Sequence, residues 1–163
     1  MMPFFPPLLN EPTYTRLIES AHKKFLQSII DEMHYNLSPV YYHIKNNDIS
    51  NNCEAFLHLT TKDNIAKTER VFDADRTKRI HWITPLLNNF SNEKVFIYEK
   101  IYGNSVRIHI FVPSRYYILI LEPEKSHGNC YYIVTAFNLD NPNRVGYHMK
   151  QYRKYTRNGC KPF

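Results

Sequence analysis

Val95-Phe96-Ile97-Tyr98-Glu99-Lys100-Ile101-Tyr102-Gly103-Asn104-Ser105-Val106-Arg107-Ile108-His109-Ile110-Phe111-Val112 is the stretch that decides the fold. Two period-two runs meet at Gly103-Asn104, a dipeptide suited to a two-residue hairpin turn. A turn of that length pairs Ile101 with Val106, Ile97 with Ile110 and Val95 with Val112, and this face reads as core. The opposite face sets Lys100 against Arg107, Tyr98 against His109 and Phe96 against Phe111. Directly opposed cations repel, so such a pair is best tolerated where an anion lies between them.

The period-two pattern continues to Phe137. It predicts strands over Val95–Tyr102, Ser105–Val112, Tyr116–Glu122 and Tyr131–Phe137, with Ser126-His127-Gly128-Asn129 in the turn before the last. Upstream the period is helical. Leu17, Ile18, Ala21, Phe25, Ile29, Ile30 and Met33 predict a helix over Thr13–Tyr35, with Thr13 or Thr15 as N-cap. A second helix is expected over Asp73–Phe90, capped by Asp73 or Asp75 and interrupted by Pro85. On it Arg76 shares the stripe of Ile80, Ile83 and Leu87, while Arg79 and His81 lie on opposite flanks. Residues 36–52 read as a long loop, Glu54–Thr60 as a short strand and Thr61–Lys67 as a helical turn. Pro142–Tyr155 reads as a basic helix or extended tail.

The expected architecture is therefore α+β: N-terminal helices packed on a four-stranded antiparallel meander, with a basic C-terminal helix. Residues 1–52 form a helical segment and loop, and 53–163 the α+β core, within a single compact domain.

Composition narrows the function classes. The 163 residues are 43% hydrophobic, enough for a buried core. The longest apolar run, Tyr116–Leu121, is strand-sized and far below the roughly 18 residues of a membrane span. The apolar start carries Pro3, Pro6 and Pro7 and no basic residue, unlike a signal peptide, so a soluble cytoplasmic protein is expected. Four glycines, Gly103, Gly128, Gly146 and Gly159, form no phosphate loop or dinucleotide fingerprint. Cys53, Cys130 and Cys160 have neither disulfide-framework nor zinc spacing, so no metal or other cofactor is expected.

Charge is local. The net charge is +6, and no carboxylate follows Asp140, whereas Arg144, Lys150, Arg153, Lys154, Arg157 and Lys161 do. A localised basic element suits a polyanion, because each cation meeting a phosphate releases a counterion.

The candidate residues fit metal-free RNA cleavage, which needs a base, an acid and cations over the scissile phosphate. His109 or Tyr98 can move protons. Arg107, Lys100 and Arg76 or Arg79 can neutralise the phosphorane. Tyr98, Tyr102, Tyr147 and Tyr152 can stack on unpaired bases, and Lys150, Arg153 and Lys154 can hold the backbone. Thr135 is the only polar group on one face of the last strand, among Tyr131, Ile133 and Phe137.

Arg76-x-x-Arg79-Ile80-x-Trp82-Ile83-x-Pro85-Leu86-Leu87, followed by the strands and by Tyr131-Tyr132-Ile133-Val134-Thr135-Ala136-Phe137, resembles phage- and toxin-type nucleases. These belong to the superfamily named for barnase, EndoU, colicin and RelE. The resemblance covers roughly residues 70–155 and leaves the first 50 unexplained. It implies helices on a four-stranded antiparallel sheet and a metal-independent endoribonuclease. Such an enzyme acts often on tRNA, leaves a 2′,3′-cyclic phosphate, and can be silenced by an acidic neutralising or immunity protein. Arg76, Arg79 and Thr135 carry over from its motif; His81 is an additional candidate with no fixed counterpart there. The competing expectations are an RNA-binding module without catalysis and a protein-interaction domain whose basic tail meets an acidic partner.

Overall fold

A computed structural model describes residues 4–126 and 129–159. His127 and Gly128 of the expected turn, Cys160, Lys161 and the first three residues lie outside the described residues. The helices are α1 (Tyr14–Ile30), α2 (Glu54–Thr60), α3 (Ala74–Thr77), α4 (Ile83–Asn88) and α5 (Pro142–Arg157). The strands are β1 (Met33–Tyr35), β2 (Ser38–Tyr42), β3 (Thr61–Asp63), β4 (Arg70–Phe72), β5 (Phe96–Tyr102), β6 (Ser105–Val112), β7 (Tyr117–Pro123) and β8 (Tyr131–Asn138). The fold is α+β. Six strands form one sheet in the order β1-β2-β8-β7-β6-β5, and β3 and β4 form a separate hairpin.

The β5–β6 register sets Ile101 opposite Val106, Tyr98 opposite His109 and Lys100 opposite Arg107. Gly103 supplies the turn with φ 61°, a left-handed conformation that costs glycine little. β6, β7 and β8 continue antiparallel. A bulge lies beside Ile120, because Thr135 faces Ile120 while Ile133 faces Leu121, leaving Val134 between them.

The sheet is two strands wider than the four expected. The segment expected to be helix end and loop instead folds as the β1–β2 hairpin, with Tyr35 opposite Ser38. Its two turn residues, Asn36 and Leu37, both adopt positive φ (47° and 68°) without any glycine to announce it. β2 then lies parallel to β8, pairing Val40, Tyr41 and Tyr42 with Tyr131, Tyr132 and Ile133. That pairing bridges some ninety positions and leaves no periodic signal in either segment.

Two further expectations are exchanged. Residues 54–60 are helical, because Phe56, Leu59 and Thr60 are buried at i, i+3, i+4 spacing. Thr61–Asp63 is a strand. The single helix expected over Asp73–Phe90 is three short pieces: α3, a 3₁₀ turn at Ile80–Trp82, and α4. Pro85 falls in the first turn of α4, where a missing backbone N–H leaves no hydrogen bond unmade.

Both sheet faces are covered. Ile97, Ile108, Ile110, Leu119, Leu121 and Ile133 pack against Phe25 of α1, Phe56 of α2 and Leu86 of α4. On the other face Tyr98, Phe111, Ile118 and Ile120 meet Val145, Met149, Tyr152 and Tyr155 of α5. Those four α5 residues repeat at helical spacing, which turns Arg144, Lys150, Arg153, Lys154 and Arg157 outward to solvent. Asn141 caps the helix by accepting from the Arg144 backbone N–H at 3.1 Å, and Pro142 occupies its first turn. The N-terminal segment crosses the helical layer: Phe5 stacks on Trp82 at 4.4 Å, and Trp82 Nε1 donates to the Pro6 carbonyl at 2.9 Å.

The hairpin tip escapes this burial. Ile101 is 76% exposed and Val106 37%, so the face assigned to the core runs past its edge. Ile110→Ala should cost about 2–5 kcal/mol in urea unfolding, because it opens a cavity at a fully buried site. Ile101→Ala should stay within about 0.5 kcal/mol of the parent.

Candidate nucleic-acid interface

Three cross-strand rows cross the sheet face that α5 partly covers. The first is Phe96, Phe111, Ile118 and Phe137. The second is Tyr98, His109, Ile120 and Thr135. The third is Lys100, Arg107, Glu122 and Tyr132, and it extends across the parallel pairing to Tyr41. The registers thus bring Lys100, Arg107, Tyr98, His109 and Thr135 onto one face.

Their environments differ. Tyr98 is 1% exposed and therefore offers no ring to a base, contrary to expectation; α5 seals it. The His109 ring lies flat on the Tyr98 ring, with centroids 4.5 Å apart and planes 7° from parallel. The Tyr98 hydroxyl reaches Nδ1 of His148 on α5 at 2.6 Å. Burial lowers the His148 pKa, and Arg144 and Lys100 lower it further. Burial, then His148, pushes His109 down to about 4, with Lys100 and Arg107 adding repulsion. His109 is neutral at physiological pH and its Nδ1 is buried without a hydrogen-bond partner. Desolvation thus disfavours the charged form that a proton donor needs.

The opposed cations find separate partners. Lys100 Nζ donates to the Tyr147 hydroxyl at 2.7 Å. The Arg107 guanidinium lies over the Tyr102 ring at 4.2 Å, and its Nε stands 3.7 Å from Glu122 Oε2. That spacing is an ion pair but too long for a hydrogen bond, and the Nε is buried with its donor unused.

Arg107 and Glu122 form one wall of a cleft of about 400 Å³. Val134, turned by the bulge, forms its floor with Ile133; His43 and Lys45 follow β2, and Glu54 and His58 come from α2. His43 stacks on Tyr132 with centroids 4.3 Å apart. Glu54 binds Lys45 at 2.5 Å and stands 3.8 Å from His58 Nε2, which joins the two histidine-bearing segments. Burial lowers the His58 pKa, and Arg70 reinforces this against the opposing pull of Glu54.

Arg76 is placed beside this cleft. Its Nε pairs with Asp73 at 3.5 Å, it donates to the His58 carbonyl at 3.4 Å, and its guanidinium covers the Phe137 ring at 4.9 Å. Arg79 and His81 are not brought to this face's clefts. Arg79 donates to the Asp75 carbonyl at 2.7 Å and lines a separate cleft with Phe4, Trp82 and Arg115. His81 Nε2 lies 2.7 Å from the Pro7 carbonyl and pins the N-terminal segment. Lys150, Arg153 and Lys154 stand on the outer side of α5. Among the described residues no group of three or more His, Cys, Asp or Glu is placed to hold a metal ion, and no helix is long and apolar enough to cross a membrane.

Sequence reasoning missed His43, His58 and His148. The Glu54–His58 spacing of four residues was a usable signal, but only once residues 54–60 are read as helix. His148 occupies the inward stripe of α5 between Val145 and Met149, a position its spacing already marks.

The buried histidines carry a pH dependence. The unfolded chain binds a proton near pH 6.5 and folded His109 only near 4, so stability is full above pH 6.5 and falls as pH drops between those values. The loss should be on the order of 3 kcal/mol by pH 4. His109→Phe, which keeps a ring against Tyr98, should flatten that slope in urea titrations between pH 4 and 7. No family model, curated protein or solved structure matches this chain.

Proposed function

We propose that this chain is a metal-independent endoribonuclease that cuts single-stranded RNA in the cleft between α2 and the bulged end of β8. The observation that carries the reading is the convergence there of two imidazoles and an underused arginine. His43, His58, Lys45 and Arg107 line one concavity, and the Arg107 Nε is buried with no hydrogen bond made. A phosphate oxygen is the chemical complement of such a donor.

His58, neutral at pH 7, takes the proton from the ribose 2′-hydroxyl. The 2′-oxygen attacks phosphorus and the P–O5′ bond breaks. His43 gives a proton to the departing 5′-oxygen, leaving a 2′,3′-cyclic phosphate and a free 5′-hydroxyl. Arg107 and Lys45 neutralise the charge that builds on the non-bridging oxygens. Glu54 orients His58 and Lys45 together. Tyr132, stacked on His43, fixes the imidazole plane. His109 is assigned a positioning role beneath this surface, in place of the proton transfer expected from its strand position.

The exposed cations of α5 extend the positive surface beyond the cleft and suit an RNA longer than a dinucleotide. Loops of tRNA present unstacked strands of this kind. The same basic surface would meet an acidic neutralising protein.

Incubation with unstructured RNA in EDTA should yield fragments with cyclic phosphate ends. His58→Ala and His43→Ala should each slow cleavage by about 10²–10⁴-fold. Because the His58 pKa is lowered, the acidic limb of the pH–rate profile should lie below pH 6.5 and disappear in His58→Ala. Intact RNA that still binds would replace this reading with a non-catalytic RNA-binding module.

A further inference from the structure

A second concavity of about 490 Å³ opens on the same sheet face, beyond the first along β8. It is lined by Phe137, Asn141, Asn143, Arg144, Tyr147 and His148. Val134 lines the first cleft and Phe137 the second, three strand residues or roughly 10 Å apart at about 3.3 Å per residue. That distance matches one to two steps of an extended polynucleotide.

Arg76 spans the interval. It is bonded to the carbonyl of His58, which lines the first cleft, and it covers the face of Phe137, which lines the second. Arg144 lines the second concavity, with its Nε 3.3 Å from Asp140 Oδ1. That pair is solvent-exposed, which leaves guanidinium donors of Arg144 for a phosphate. Tyr147 is 47% exposed, with Lys100 held at its hydroxyl, and so presents an anchored aromatic ring at the rim. Asn143 adds an amide able to meet a base edge.

We propose that this concavity is a second nucleotide subsite, stacking the base that adjoins the scissile bond on Tyr147 and holding the connecting phosphate at Arg144. The assignment rests on the endoribonuclease reading for its orientation. Its chemistry, an aromatic ring beside a guanidinium group, calls for a nucleotide of single-stranded RNA. Specificity for the base then lies with Asn143, outside the residues that carry proton transfer.

The test uses the whole chain and 2′-O-methyl oligouridylates of one and four nucleotides, which bind without being cut, with affinity read by calorimetry. The tetranucleotide should bind at least tenfold more tightly than the mononucleotide. Tyr147→Ala should remove about tenfold of tetranucleotide affinity, and Tyr147→Phe should restore it, as ring stacking requires. Mononucleotide binding should be unchanged in both variants. Equal affinity for the two lengths, or full tetranucleotide affinity in Tyr147→Ala, overturns the subsite. RNA cleavage in EDTA is scored separately on the same preparations. Cleavage without the length effect removes the subsite and keeps the enzyme, whereas the length effect without cleavage keeps the subsite and removes the enzyme.

Discussion

The pairing of β8 governs the rest of the structure. β7 accompanies it from end to end, but β2 pairs with its first three residues only. Beyond Ile133 the outer side of β8 is met by α2 and α3. This brings His58 and Arg76 to the edge of the sheet face that α5 partly covers. The bulge at Val134 falls where β2 gives way to these helices, and it opens the floor of the cleft. A sheet of four strands alone would have no such corner.

Burial divides the chemistry of this face. Under α5, Tyr98, His109 and His148 form a stacked and hydrogen-bonded cluster in which neutral imidazoles are favoured by desolvation. Such a cluster fixes α5 over β5 but is poorly suited to proton transfer near neutrality. Past the edge of α5 the same rows reach water. There Arg107, Glu122 and Tyr132 meet histidines from two other segments. One strand thus supplies a packing histidine at 109 and a cationic cleft residue at 107, on the same face and two positions apart.

The sequence carried much of the local geometry and little of the long-range geometry. Gly103-Asn104 dictated a register that placed Lys100, Arg107, Tyr98 and His109 in their observed pairs. Alternation could not tell which of them α5 would bury, because burial is decided by a helix some forty residues away. The β1–β2 hairpin was hidden by a turn made of Asn36 and Leu37 in left-handed conformations, without glycine or proline. Its parallel docking on β8 is a tertiary choice with no local signature. The Glu54–Thr60 segment was short enough for strand and helix patterns to compete, and reading it as strand concealed the Glu54–His58 pair. Arg76 was legible as a cation ending an apolar stripe; Arg79, beside it, is held by Asp75 and Trp82 instead.

The central claim is that a ribose hydroxyl attacks its own phosphate in the cleft of His43, His58 and Arg107. The most direct measurement compares an all-RNA strand with the same strand carrying one 2′-deoxy nucleotide at the mapped cut site, in EDTA. The account predicts that this single substitution abolishes cleavage at that bond and leaves binding affinity nearly unchanged. Equal cleavage of the deoxy-substituted strand would contradict it, because no 2′-oxygen is then present to attack.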